Sequence, residues 1–275
     1  MPVDRPVAFV LGGGGLLGAV EVGMLRALLE AGVRPDLVLG TSVGALNGVF
    51  VAADPTPAAA ARLEGLWSAL AGEVFSGSLV RQVGTAVRTR TSLHRRGPLR
   101  RLLLEHLPVR DFAELPVPFG CVAACVERAA EHWFDSGPLV DAVLASSAVP
   151  GLLPPVPIGG EHFVDGGLVN SIPVGEAVRR GARTVYVLQV GRVERPLTPP
   201  RAPWQVGAVA FEIARRHRFA ADMAAVPEGV SVHVLPTGAG GPGRRDDLRY
   251  RDASRVAERM ARAYEASAAS LAAAP

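Results

Sequence analysis

This sequence predicts a three-layer α/β/α domain on a mainly parallel central sheet, and two features predict it. Short apolar strands alternate with helical segments along nearly the whole chain, the order that covers a parallel sheet with helices on both faces. Two of those strands also end in glycine-rich turns that run straight into helices: residues 7–11 enter Gly12 to Gly18, and residues 36–39 enter Gly40-Thr41-Ser42-Val43-Gly44. With 275 residues, 49% of them apolar, 20% charged and 5% aromatic, the composition is globular, and residues 1–275 are expected to form one domain.

The first strand, Val7-Ala8-Phe9-Val10-Leu11, precedes Gly12-Gly13-Gly14-Gly15-Leu16-Leu17-Gly18 and a helix over residues 19–31. The helix carries Val20, Met24, Leu25 and Leu28 at helical spacing, and Gly32 stops it. Three readings compete for the loop. Gly13-x-Gly15-x-x-Gly18 fits a dinucleotide fingerprint; exposed amides at a helix N-terminus fit an oxyanion hole; a glycine turn with no chemistry is the third. The dinucleotide reading needs an acid at the end of the second strand to bind a ribose. That strand ends instead in Gly40-Thr41-Ser42, with Asp36 at its start.

Strand, Ser42 and the helix at 45–49 form a sharp elbow, which exposes the serine hydroxyl on a strained turn and makes Ser42 a candidate nucleophile. Gly40 and Gly44, two residues to either side, let strand and helix approach without Cβ clashes. A second helix follows over 58–70. Residues 72–110 then carry eight arginines against Glu73 and Glu105, a net of +6 in a chain whose total is +3, so the remainder is net acidic. This excludes an overall nucleic-acid-binding charge and leaves a local basic face, either a solvated helix surface or a lipid-facing amphipathic one.

Strands are expected at 119–126 and 132–134, and Asp135 to Pro138 opens a helix over 139–147. Cys121 and Cys125, four apart on a strand, would lie about 13 Å from each other and stay thiols. The repeated His-x-x-Asp of His132/Asp135 and His162/Asp165 invites a metal reading, but residues three apart on a strand point to opposite faces, so no metal is expected. Asp165 ends a strand before Gly166 and Gly167, two residues that tolerate φ > 0, which exposes the carboxylate at a sheet edge or mouth. A strand at 184–190, an Arg-rich helix at 203–223, a strand at 230–235, a loop at 236–243 and a helix at 253–271 complete the chain. The opening residues lack the order of a secretion signal and no 18-residue uncharged apolar segment occurs, so a cytosolic or membrane-peripheral protein is expected.

The order Gly-Gly-Gly-x-x-Gly, then Gly40-Thr41-Ser42-Val43-Gly44-Ala45-Leu46-Asn47, then Asp165-Gly166-Gly167, resembles the patatin-like phospholipase family. Ala145-Ser146-Ser147-Ala148-Val149-Pro150 and Phe163 to Val174 agree with it, and the likeness covers residues 7–190. The resemblance implies the patatin-like fold with a helical cap near 72–110, residues 200–275 completing it. It also implies a lipid or acyl-ester substrate, no cofactor, and a Ser42–Asp165 dyad in which Asp165 takes the serine proton. The amides of Gly13, Gly14, Gly15 and Val43 would then hold the oxyanion, with Gly18, Gly40, Gly44, Gly166 and Gly167 shaping the motifs. This chain has Leu17 where the family usually places Arg or Lys, which leaves the oxyanion to backbone amides. The rivals are a Ser-His-Asp hydrolase using His162, His217 or His233, a lipid-binding or regulatory protein that keeps the fold, and a nucleotide-binding module.

Overall fold

The computed structural model describes residues 5–73, 97–190, 196–238 and 255–273. Its strands are β1 Val7–Leu11, β2 Leu37–Thr41, β3 Phe119–Cys125, β4 Ala130–Phe134, β5 Val156–Ile158, β6 Glu161–Asp165, β7 Thr184–Leu188 and β8 Ser231–Val234. Its helices are α1 Gly18–Glu30, α2 Val43–Ala53, α3 Pro57–Glu73, α4 Gly97–His106, α5 Leu139–Ser146, α6 Val174–Arg179, α7 Pro203–Ala224 and α8 Val256–Ala273. The sheet runs β5-β6-β3-β2-β1-β7-β8, with β4 paired to β3. Strands β3, β2, β1, β7 and β8 are mutually parallel. β4 and β6 run antiparallel to β3, and β5 antiparallel to β6.

Both faces of the sheet are covered, which is why its central strands read as unbroken apolar runs. Along β1 the side chains alternate: Val7, Phe9 and Leu11 join the core under α1, α2, α3 and α8, while Ala8 and Val10 join Val185, Val187, Val174 and Phe219 of α7 on the other face. α1 is buried on almost every side because α8 packs over its outer surface. A Cβ at Gly23 would sit 2.2 Å from Met260 O, so the two helices touch backbone to backbone. Gly32, at φ 80°, ends α1 as expected.

α2 continues to Ala53 rather than 49, carried on by buried Phe50, Val51 and Ala52. β7 ends at Leu188, two residues before the expected limit. Cys121 and Cys125 are buried thiols. Of the basic segment, residues 74–96 lie outside the described residues. Of the rest, residues 72–73 end α3 and 97–106 form α4, with Leu103 buried, Leu99, Leu102 and Leu104 against the core, and Arg100 and Arg101 exposed. Residues 239–243 of the expected loop and 253–254 of the expected last helix also lie outside the described residues.

Candidate active site

The pairing of β3 decides where the nucleophile and the acid meet. β4 occupies one edge of β3 at residues 121–125. β2 pairs with β3 at 119–122 and β6 pairs with it at 123–125. Both overlap β4's span, so both must lie on the opposite edge. There β2, running parallel, stops at Thr41 opposite Val122, and β6, running antiparallel, stops at Asp165 opposite Ala123. The C-terminal ends of β2 and β6 therefore meet head to head, and the residues that leave them are neighbours although 123 positions separate them in sequence.

Ser42 Oγ donates to Asp165 Oδ2 at 2.5 Å. Ser42 adopts φ 56° and ψ −121°, a strained conformation for a residue with a side chain. The turn is possible because of the flanking glycines: a Cβ at Gly40 would lie 2.5 Å from Gly44 O, and one at Gly44 would lie 2.3 Å from Leu11 O. The expected exposure of both groups is corrected, since Ser42 is 5% and Asp165 3% accessible. Burial pushes the Asp165 carboxyl up to about 6, although the bonds from Ser42 and from the Gly167 amide, at 2.7 Å, pull it down.

Gly166 and Gly167 do not use their tolerance of positive φ. Residues Gly166–Leu168 form a 3₁₀ turn capped by the Asp165 side chain, and neither glycine has positive φ. Glycine is needed there for close approach: a Cβ at Gly166 would lie 2.1 Å from Val122 O, and one at Gly167 would lie 2.8 Å from the Phe211 ring and 2.9 Å from Asp165 Oδ1.

Among the expected oxyanion donors the structure separates Gly13 from the others. The Gly13 N–H donates to Ser171 O at 2.9 Å and is engaged. Gly14 and Gly15 are exposed, Gly15 with φ 56°, and Val43 opens α2; no backbone acceptor among the described residues engages these three amides. Gly18 is required by packing, because a Cβ on it would fall 2.1 Å from Val43 Cγ2 and 2.8 Å from the Trp67 ring. The loop thus starts α1 directly against the start of α2. Leu17 points into the main core, half-buried.

Several residues without an assigned role hold this geometry. Ser146 Oγ accepts from the Ser42 amide at 2.9 Å, and Ser147 Oγ donates to Ser42 O at 3.1 Å, so the end of α5 grips the elbow from both sides. Asn170 O accepts from Thr41 Oγ1 at 2.8 Å, and the next carbonyl, of Ser171, accepts from Gly13. One peptide segment after the acid turn therefore clamps the ends of both β1 and β2. Beneath the loop, Asn47 bonds Gly18 O, Glu21 Oε2 and Trp67 Nε1, joining α1, α2 and α3. Glu21 is wholly buried, which holds its carboxyl well above the usual range, although Asn47, the Gly12 backbone and Arg215 pull it down. Sequence patterns give no signal for these partners beyond the presence of small polar residues, since each acts across 20 positions or more.

The three histidines considered as bases point elsewhere. His162 bonds Glu127 at 2.6 Å, His233 stacks on Tyr186, and His217 is exposed. Asp36, the acid closest to a ribose-binding position, accepts from Val7 N at the opposite end of β1 from the glycine loop. The dinucleotide reading loses its acid on geometric grounds.

A family model described as Patatin-like phospholipase matches residues 9–178. The sequence is 32% identical over 192 residues to Patatin-like phospholipase domain-containing protein 6 of Homo sapiens, covering 67% of this chain and 13% of that protein. It is 30% identical over 190 residues to Lysophospholipase NTE1 of Kluyveromyces lactis, covering 69% of this chain and 13% of that protein. The crystal structure of VipD from Legionella pneumophila aligns over 96% of this chain and 66% of its own, with a TM-score of 0.48 and 12% identity. The chain belongs to the patatin-like phospholipase family. It spans 13% of the length of either curated relative named above.

Proposed function

We propose that this chain is a serine acyl hydrolase that cleaves fatty-acyl esters of lipids, of phospholipase A or lysophospholipase type. The observation that carries the reading is the 2.5 Å bond between Ser42 Oγ and a buried carboxylate whose pKa stands at about 6. A carboxylate of ordinary pKa is a poor base for a hydroxyl, and burial brings Asp165 closer to the task. In the reaction Asp165 Oδ2 takes the Ser42 proton as Oγ attacks the ester carbonyl. The oxyanion is met by the amides of Gly14, Gly15 and Val43, at the N-terminal ends of the 3₁₀ turn Gly15–Leu17 and of α2. Collapse expels the alcohol, which takes the proton from Asp165. Water, losing its proton to the same carboxylate, then attacks the acyl-enzyme, and the fatty acid leaves as Ser42 recovers its proton.

The family and the name of the Kluyveromyces lactis relative support a lipid substrate. A peripheral contact with anionic lipid through residues 72–110 is part of the proposal, supported by the exposed Arg100 and Arg101 of α4. No described helix is long and apolar enough to cross a membrane. The test is labelling with a fluorophosphonate probe and turnover of p-nitrophenyl butyrate, each compared with Ser42→Ala. Loss of both in Ser42→Ala is the expected result. Turnover that survives the change refutes the serine mechanism, and an unlabelled, inactive wild type favours the lipid-binding alternative.

A further inference from the structure

Leu17 leaves the glycine loop without the basic residue that the family resemblance leads one to expect there, yet a cation reaches the same loop from the other side of the sheet. Arg215 of α7 is 4% accessible, and its Nε donates to Ser171 Oγ at 3.2 Å. Ser171 O in turn accepts the Gly13 N–H at 2.9 Å. A Cβ at Gly13 would lie 3.2 Å from Ser171 Oγ and 3.5 Å from Ser42 Cβ, so Ser171 fills the space directly behind the loop and the nucleophile. α7 also rests on the acid turn through Phe211.

A purely structural guanidinium would be paired well, and this one is not. Its contacts to Glu212 are 3.3 Å to each oxygen, Glu212 is one-third exposed, Arg216 shares the same carboxylate at 3.2 Å, and the buried Glu21 carboxyl acts on it through space, with no hydrogen bond between the two. Arg215 Nη2 is buried with no hydrogen-bond partner among the described residues. Burying an incompletely paired charge opposes folding, and an apolar side chain of similar volume would pack there at lower cost. Such costs collect at sites where the charge serves chemistry.

We propose that Arg215 is a positioning residue for the oxyanion: through Ser171 it fixes the Gly12–Gly13 segment and turns the loop's peptide dipoles toward the negative charge that forms on the substrate, in place of a cation at position 17. The inference rests on the serine hydrolase reading. The Asp165 carboxylate is set by its burial, Ser42 and Gly167, so removal of Arg215 acts on the oxyanion side of the reaction and leaves the acid limb of the pH profile in place.

The test measures kcat per titrated serine, with fluorophosphonate counting the active sites, so that partial unfolding is not read as slow chemistry. Wild type against Ser42→Ala first decides the hydrolase reading; if the wild type shows no Ser42-dependent turnover, that reading and this inference fall together. With turnover established, Arg215→Gln lowers kcat per site by about tenfold or more, below the full loss of a direct donor because the action is indirect, while KM stays within about twofold. Arg215→Lys recovers most of the loss. Ser171→Ala lowers kcat per site in the same direction, and adding it to Arg215→Gln costs little more, a non-additivity expected when both act through one link. An Arg215→Gln enzyme with kcat within twofold of wild type overturns the inference, as does one whose loss adds fully to that of Ser171→Ala. If Arg215→Gln does not fold, Ser171→Ala decides: it removes one hydroxyl from the link, and unchanged kcat per site overturns the inference.

Discussion

Asp165→Asn is the most informative single change, because one property of the site predicts its effects on both stability and turnover. Burial holds the folded-state carboxyl at about 6, against an ordinary value near 3.8 that the unfolded chain regains. Below pH 4 both states are protonated and the group is neutral to folding. Between pH 4 and 6 the unfolded chain gives up its proton while the folded one keeps it, so stability falls as pH rises. Above pH 6 both are ionised and the penalty stays constant at about 3 kcal/mol, taking about 1.4 kcal/mol per unit of pKa. The bonds from Ser42 and Gly167 are already contained in that value, since they lower the pKa that burial raises. An asparagine keeps the shape and one carbonyl acceptor but has no charge to desolvate. Asp165→Asn therefore melts higher than wild type above pH 6, by about 5 °C for a chain of this size. The advantage shrinks between pH 6 and 4 and vanishes below. Turnover is lost at every pH because the amide takes no proton, while wild-type kcat falls as pH drops through about 6. Thermal unfolding by circular dichroism at pH 4, 5, 6 and 8, with ester hydrolysis over the same range, reads both. A variant that melts below wild type at pH 8, or a difference independent of pH, refutes the claim that this carboxylate is held against its own charge.

Three further outcomes follow from the same geometry. Ser42→Ala abolishes hydrolysis and moves Tm by only a few degrees, since it removes one oxygen and no packing; a large loss of stability would assign the residue a structural role. Gly44→Ala destabilises the fold by more than about 3 kcal/mol, because its Cβ meets the backbone oxygens of Leu11 and Gly12 at 2.3 and 2.8 Å, whereas Gly15→Ala, with open space but φ 56°, costs about 1 kcal/mol. Equal melting of the two variants by calorimetry would contradict the close approach of β1 and α2. Arg100→Gln with Arg101→Gln weakens co-sedimentation with anionic vesicles at low salt by about 1 kcal/mol per arginine lying at the lipid surface; identical binding by variant and wild type leaves α4 as a solvated helix face.

The strands and helices were legible because each is written locally. β1 is an uninterrupted apolar run bounded by Gly12, and α1 stops where Gly32 supplies a left-handed residue. The elbow was legible because glycines two residues either side of a serine answer a steric demand that the structure displays in full at Gly40 and Gly44. Misreadings arose where one residue type serves two purposes. In sequence Gly166 and Gly167 suggest a backbone conformation, whereas Val122 O and the Phe211 ring demand them for space, a demand set by elements more than 40 residues away. Gly13 looked equivalent to Gly14 and Gly15 within its run, yet only Gly13 faces the Ser171 carbonyl. Arg215 is indistinguishable in sequence from the other arginines of α7, because the sign of a charge is visible there and its burial is not.

The same limitation explains why the sheet's register matters more to this site than any motif. Ser42 and Asp165 meet because β2 and β6 share one edge of β3 and stop opposite adjacent residues, Val122 and Ala123. A slip of β6 by one residue would turn Asp165 to the other face of the sheet. That slip is opposed from several directions at once. Ala148 O holds the Asp165 amide at 2.9 Å, Asn170 O holds Thr41, and Ser146 and Ser147 hold the elbow. Each of these is a net contribution of only about 1 kcal/mol, but a slip would leave all of them unmade in a buried setting, where the loss per group is larger than the gain of forming it. The strained Ser42 backbone and the raised Asp165 pKa are thus sustained by ordinary hydrogen bonds whose number, more than their individual strength, fixes the register.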